Sequence, residues 1–141
     1  MIIRPEAPRD RIALAEYIAH KGGMTAEDLV GSLPFEVLGV VRQGRLLGAV
    51  LYNQWRGPSI ETHWAGESGW MSRGDLKGIF SYPFLQLECR RITGIVRRNN
   101  KTARRIAEKL GFRLEGVCRQ GFDDGTAAMI YGMIRSDCKW I

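Results

Sequence analysis

Residues 35–55, "FEVLGVVRQGRLLGAVLYNQW", constrain the fold of this chain more than any other stretch. Two runs dense in Val and Leu flank Gln43-Gly44, and such side chains fit a pleated, buried surface better than one face of a helix. A tight two-residue link ending in glycine supplies the positive φ angles that match the twist of paired strands, so the two runs form a hairpin. Gly57-Pro58 then turns the chain into "SIETHWAG", a third strand, and the three make an antiparallel meander.

The rest of the chain is placed around that meander. Residues 2–6 read as a short opening strand. A helix follows Asp10, with Leu14, Tyr17 and Ile18 at i, i+3 and i+4, and stops at "HKGG", where His20 and Lys21 suit the last turn. "TAEDLV" from Thr25 to Val30 has the form of a capping box and a second short helix. After the meander, Leu76, Ile79, Phe80, Pro83, Phe84 and Leu87 fall on one helical face, with a kink expected at Pro83 because it lacks an N–H and crowds the carbonyl four residues back. "RRITGIVRR" alternates as a strand with Ile92, Gly94 and Val96 on one side. A helix from Asn100 carries the stripe Ala103, Ile106, Ala107, Leu110 and ends at Gly111. Two strands, "FRLEGVCRQG" and "AAMIYGMIR", close the chain through Phe122-Asp123-Asp124-Gly125. The order implies an α+β fold in which a strand-helix-strand crossover sits inside a mostly antiparallel sheet flanked by helices.

At 141 residues the chain suits one domain spanning 1–141. No apolar run approaches the roughly 20 residues of a membrane span, and no apolar segment follows a basic start, so the expected compartment is cytoplasmic, away from membranes. Cys89, Cys118 and Cys138 are odd in number and lack metal-ligand spacing, so they read as reduced thiols, and neither a disulfide framework nor a metal is expected. The net charge of +6 favours an anionic partner without choosing among nucleic acid, an acidic protein and a phosphorylated cofactor. Nucleic acid is disfavoured because the basic residues are not interleaved with stacking aromatics.

Two helix starts draw attention. In "GWMSRGDLKGIF", Ser72, Arg73, Gly74 and Asp75 open a helix whose unpaired N–H groups and dipole favour an anion. Ser72 can cap that helix, help hold a phosphate, or do both. In "NNKTARRIAEKLGF", Lys101, Arg104 and Arg105 crowd the positive end of a helix, which costs a few tenths of a kcal/mol unless an anion sits close. The bland alternative is a solvated basic face.

The order of elements, "NNKTARRIAEKLGFRLEGVCRQ" and the ending "YGMIRSDCKW" together resemble the GCN5-related N-acetyltransferases (GNAT superfamily), in particular the ribosomal-protein N-terminal acetyltransferase (RimJ/RimL-like) branch. The likeness covers nearly the whole chain, and its best motif is met by Asn100, Ala103, Gly111 and Phe112, followed by Glu115-Gly116 and Arg119. The resemblance implies a GNAT-like mixed sheet with a splayed parallel strand pair, here "SIETHWAG" and "RRITGIVRR", holding acetyl-CoA as co-substrate. Pantetheine would run along Trp64 and Ala65, with pyrophosphate on the turn of Ser72, Arg73, Gly74 and Asp75. Aligning the family's pyrophosphate motif on Gly74 puts Met71 at its first position and Leu76 at its last, so Arg73 becomes the substitute cation. Asn100 would cap its helix or bond the pantetheine amides, and Arg104 would meet a CoA phosphate.

The implied reaction is attack of a primary amine on the thioester, with a general base on the third meander strand. Glu61 and His63 alternate onto one face there, and either can also be purely structural. Many relatives protonate the leaving thiolate with a Tyr where this chain has Ala107. Tyr131 and Tyr82 remain, Tyr131 reading as packing, and no general acid is assigned. The acceptor is a small-molecule or protein amine, read by the first two helices and by loops such as 121–126, where Asp123 and Asp124 either draw a cation or serve ordinary turn chemistry. Trp55, Trp64, Trp70 and Trp140 take core or pocket-lining positions. A homodimer is compatible with the family. The rival readings are a catalytically silent binding module on the same fold and a basic nucleic-acid-binding domain.

Overall fold

A computed structural model of the chain describes every residue except 23, 25, 32 and 33, and every side chain but those and residue 26. The capping box expected at Thr25 lies outside the described residues. Seven strands form one sheet in the order β1 (Ile2–Ile3), β2 (Glu36–Arg42), β3 (Arg45–Asn53), β4 (Ser59–Gly66), β5 (Arg91–Arg97), β7 (Ala128–Ile134) and β6 (Arg113–Cys118). Among the described residues only β4 and β5 run parallel, and every other neighbouring pair is antiparallel. The hairpin at Gln43-Gly44 takes φ values of 54° and 73°, the left-handed pair that a twisted two-residue turn requires. The opening strand is shorter than its pattern suggested, because Pro5 has no N–H to give a neighbour.

Alternation along β3 explains why its apolar run is unbroken. Ala49 and Leu51 face helix α1 (Pro8–Gly22) and helix α2 (Ala26–Val30), packing with Leu14, Ile18 and Leu29. Val50 and Tyr52 face the opposite side and join helix α3 (Arg73–Ser81) through Leu76, Ile79 and Phe80. Both faces of the strand are covered, so both sets must be apolar. Helix α1 starts at Pro8, two residues before Asp10, since proline is tolerated where a helix N–H has no partner anyway.

Pro83 is accommodated by two local changes. The α-helix ends at Ser81 and a π turn, Tyr82–Gln86, takes over, with the Leu87 N–H donating to the Tyr82 carbonyl at 3.0 Å. The carbonyl four residues before Pro83, that of Ile79, loses its helical donor inside the core. Tyr52 replaces it, its hydroxyl donating at 2.9 Å. Helix α4 (Lys101–Leu110) then crosses from β5 to β6 and is ended by Gly111 at φ 112°, as the sequence pattern requires. Trp55 departs from expectation: it is 56% exposed, beyond the end of β3, with its indole N–H on the Gly57 carbonyl at 2.9 Å.

Candidate functional site

Pairing between β4 and β5 stops partway along the strands. It holds from Ser59 opposite Arg91 to Thr62 opposite Gly94, and no further. Beyond that point β4 keeps β3 through Gly66 opposite Gly48, while β5 keeps β7 through Arg97 opposite Ala128. Each strand therefore retains its outer neighbour and loses its inner one. Backbone N–H and C=O groups of residues 63–66 and 95–97 that would have bridged the pair face a gap instead.

A cavity of about 350 Å³ fills this fork, within the size range of small-molecule sites. One wall is β4, with His63, Trp64 and Ala65; another is β5 with Ile95, Val96 and Arg97; α4 roofs it with Asn100, Ala103, Ile106 and Ala107. The apolar stripe of α4 is thus only partly core. Leu110 alone is buried, and Ile106 is 37% exposed. Lys21 and Arg97 are the charged residues on the described lining, and no carboxylate is among them.

The cavity's aromatic end depends on two glycines. Trp70 lies flat against Gly48 of β3 and Gly66 of β4, and a Cβ on either would sit 2.3–2.4 Å from its indole. Trp64 follows at a ring separation of 6.0 Å from Trp70 and 5.4 Å from Phe80. Glycine inside two adjacent strands is the sequence signal for such close approach.

Of the residues assigned to the site from the sequence, His63, Trp64, Ala65 and Asn100 line the cavity, and Glu61, Ser72, Arg73, Gly74, Asp75 and Arg104 do not; Trp70, Ala107 and Tyr131 line it as well. Glu61 sits on the closed part of the sheet, opposite Thr93 and Asn53, and burial raises its carboxyl. His63 shares its face, at the fork. Its Nε2 lies 3.2 Å from Asn53 Oδ1, and burial pushes the imidazole down to about 4, so it is neutral near pH 7. Asn53 was not apparent from sequence. It is a buried polar residue at the end of an apolar run, and that position is its one signal.

The two helix starts differ in how far they are closed. At α3, the Ser72 hydroxyl accepts from the Asp75 N–H at 3.1 Å, and the Asp75 carboxylate accepts from the Ser72 N–H at 3.1 Å. Arg42 completes the cluster at 2.6 Å from Asp75. Burial alone would raise the Asp75 carboxyl, but the Ser72 hydrogen bonds, with the chain-terminal ammonium and Arg42 nearby, hold it below the usual range. The Arg73 and Gly74 N–H groups precede the first intrahelical bond, which Leu76 makes to the Ser72 carbonyl. The Arg73 guanidinium lies 5.6 Å from the centre of the Trp140 ring.

At α4, Asn100 caps through Oδ1, which accepts from the Ala103 N–H at 3.1 Å. Arg104 does not line the cavity itself but bonds a residue that does, its Nε donating to the Tyr131 hydroxyl at 3.1 Å and its Nη1 to the Arg98 carbonyl at 3.0 Å. Tyr131 donates in turn to Glu108 at 3.3 Å, so its hydroxyl is committed under the helix. In the β6–β7 loop, Asp124 accepts from the Thr126 N–H and pairs with Arg97, both at 2.9 Å. That is turn chemistry. The cysteines are free, and burial raises the thiols of Cys89 and Cys138. Among the described residues no group of His, Cys, Asp or Glu is arranged to hold a metal ion, and no helix is long and apolar enough to cross a membrane.

No protein-family model and no curated protein matches the sequence. Solved structures do resemble the chain. The crystal structure of a probable acetyltransferase superposes with a TM-score of 0.68 at 19% identity, over 96% of this chain and 93% of that one. An acetyltransferase of the GNAT family from Bacillus anthracis gives 0.68 at 14% identity, over 96% and 95%. A mutant of the spermidine N-acetyltransferase SpeG from Vibrio cholerae gives 0.74 at 15% identity, over 100% and 97%. The mixed seven-stranded sheet, with its one parallel pair and flanking helices, is the GNAT fold.

Proposed function

We propose that this chain is an acetyl-CoA-dependent N-acetyltransferase acting on a primary amine in the fork between β4 and β5. The observation that carries this reading is the fork itself: a parallel pair that parts after Thr62 and Gly94 and leaves peptide groups facing an open, largely apolar cavity. An elongated ligand with amides along its length satisfies such groups, and the backbone at Trp64 and Ala65 is the edge on which pantetheine would lie. Arg73 supplies the cation for a diphosphate at the start of α3, where its own N–H and that of Gly74 are free of the helix. Ser72 and Asp75 hold that turn rigid. Asn100 fixes the α4 start beside the cavity, and the basic residues Lys101, Arg104 and Arg105 add positive potential around it. No carboxylate is among the described lining residues, and the Asp75 carboxylate at the α3 start is paired with Arg42 and the Ser72 N–H.

Bound acetyl-CoA would supply an activated thioester carbonyl. His63, rather than Glu61, is the base that reaches the cavity. Its imidazole is neutral near pH 7, so it neither repels a cationic amine nor needs to lose a proton before accepting one. It serves best for a nitrogen whose acidity has risen through bonding to the carbonyl carbon. Free N–H groups at the fork can bear the charge that builds on the carbonyl oxygen. The acceptor is a small-molecule or protein amine, and the order of elements, with "NNKTARRIAEKLGFRLEGVCRQ" and the ending "YGMIRSDCKW", carries the resemblance to ribosomal-protein N-terminal acetyltransferases.

Thermal unfolding with CoA, acetyl-CoA and duplex DNA tests the reading. A nucleotide that binds only the folded chain stabilises it by about 2.7 kcal/mol at a hundredfold excess over Kd. Both nucleotides should raise Tm and DNA should not; a Tm indifferent to CoA at every concentration overturns the assignment. One observation favours a second reading, a module that binds the nucleotide without transferring the acetyl group. Ala107 stands where relatives place a tyrosine, and the hydroxyl of Tyr131 is committed to Glu108 and Arg104. Release of free thiol from acetyl-CoA in the presence of amines separates the two.

A further inference from the structure

Asn53 and His63 are diagonal neighbours on one face of β3 and β4, since Asn53 is in register with Glu61 and His63 with Leu51. Asn53 is 5% exposed and makes two bonds. Its Nδ2 donates to the Leu29 carbonyl at 2.7 Å, and its Oδ1 lies 3.2 Å from His63 Nε2. Leu29 belongs to the last turn of α2, a helix of five residues, where carbonyls have no helical donor. A carbonyl can only accept, so the amide must turn its NH₂ toward Leu29. That orientation leaves its oxygen toward the ring, and an oxygen can only accept, so Nε2 must carry the hydrogen.

We propose that Asn53 is a positioning residue: anchored on the Leu29 carbonyl, it holds His63 as the Nε2–H tautomer and leaves Nδ1 as the ring nitrogen that accepts a proton in the fork. Nδ1 has no partner among the described residues, and His63 lines the cavity. The role of Nδ1 rests on the acetyltransferase reading; the tautomer itself does not. The relay also ties the base to α2, because an amide that lost Leu29 would be free to turn over and offer its NH₂ to Nε2. That would move the hydrogen to Nδ1 and remove the acceptor. Glu61 lies two residues along β4, Lys21 of α1 and Arg97 of β5 line the same cavity, and α2 carries Glu27 and Asp28; the hydrogen bond described for the imidazole is the one to Asn53.

Long-range ¹H–¹⁵N spectra of the imidazoles test this directly, since the chain has only two histidines and His20, exposed on α1, is the internal reference. In the wild type His63 should show a protonated Nε2 and an unprotonated Nδ1 across neutral pH. Asn53→Leu removes the acceptor, and the Nδ1–H form should become populated. Asn53→Asp keeps an acceptor and adds a negative charge, so the Nε2–H form should persist while the His63 midpoint, and the acid limb of kcat/KM, move to higher pH. In transfer assays Asn53→Leu should lose at least about tenfold in kcat, within the range a general base contributes, with KM little changed. A wild-type His63 protonated on Nδ1 overturns the proposal, and so does an Asn53→Leu protein, folded by circular dichroism, whose ring-nitrogen shifts match the wild type. If the wild type transfers no acetyl group, the acetyltransferase reading fails, while the spectra still decide the tautomer.

Discussion

Helices α3 and α4 lie on the same side of the sheet, each opened by a side-chain cap, yet they put their apolar faces to different uses. On α3, Ile79 and Phe80 are fully buried and Leu76 nearly so, and they belong to the core cluster on that face of the sheet. On α4, Ala103 and Ile106 line the fork, Ala107 lines it and also packs against the core, and only Leu110 is buried. An amphipathic stripe therefore marks apolar surface turned toward the protein, and that surface lines an open cavity as readily as a closed core. The helix that builds the molecule and the helix that builds the site have the same kind of sequence.

The sharpest way to break this contrast is truncation on both helices. Phe80→Ala should cost about 3–5 kcal/mol in urea denaturation, the range for a buried aromatic, whereas Ile106→Ala should cost less than about 1 kcal/mol and act on CoA binding. Equal losses would make α4 an ordinary core helix. The cavity side also carries a pH signature. His63 falls from its ordinary 6.5 to about 4 on folding, so the unfolded chain binds the extra proton. Stability from this group is complete above about pH 6.5 and declines as pH falls to about 4, by roughly 3 kcal/mol in total. His63→Gln should flatten that slope in pH-dependent melts.

On the α3 side, Tyr52→Phe leaves the Ile79 carbonyl buried without a donor and should cost about 1–3 kcal/mol, readable as a lower urea midpoint with an unchanged slope. Ser72→Ala opens the α3 cap and should cost about 1 kcal/mol, and Asn100→Ala should cost a similar amount at α4 but also weaken CoA binding. The smallest stability effect belongs to Arg73→Ala. Its side chain is exposed, so the melting temperature should hardly move without ligand, while the shift produced by CoA should shrink. An unchanged CoA shift would remove Arg73 from the diphosphate site.

Much of the fold was legible because its signals are local. Gln43-Gly44, Asn100 and Gly111 each fix a turn or a helix end through one residue's geometry, and the meander's alternation follows from burial on both faces. What local pattern could not express was the extent of pairing between β4 and β5. The fork comes from where two strands distant in sequence cease to bond, and no residue in "SIETHWAG" or "RRITGIVRR" announces that point. The site was partly readable for the same reason. His63 was readable from strand alternation and Asn100 from a helix start, whereas Trp64 and Ala65 followed only from the family resemblance; all four line the fork. The commitment of Arg104 to Tyr131 and of Asp75 to Arg42 depends on long-range contacts, as does the bond between Asn53 and His63.

The slot that Trp70 occupies links three positions far apart in the chain. Gly48 and Gly66 face each other across β3 and β4, and a single added methyl on either would collide with the indole ring. Neither glycine can drift while the tryptophan stays, and a smaller residue at 70 would leave a hole that only larger side chains at 48 or 66 refill. Sequence change here must come as matched sets, and each set would alter the depth of the aromatic end of the cavity.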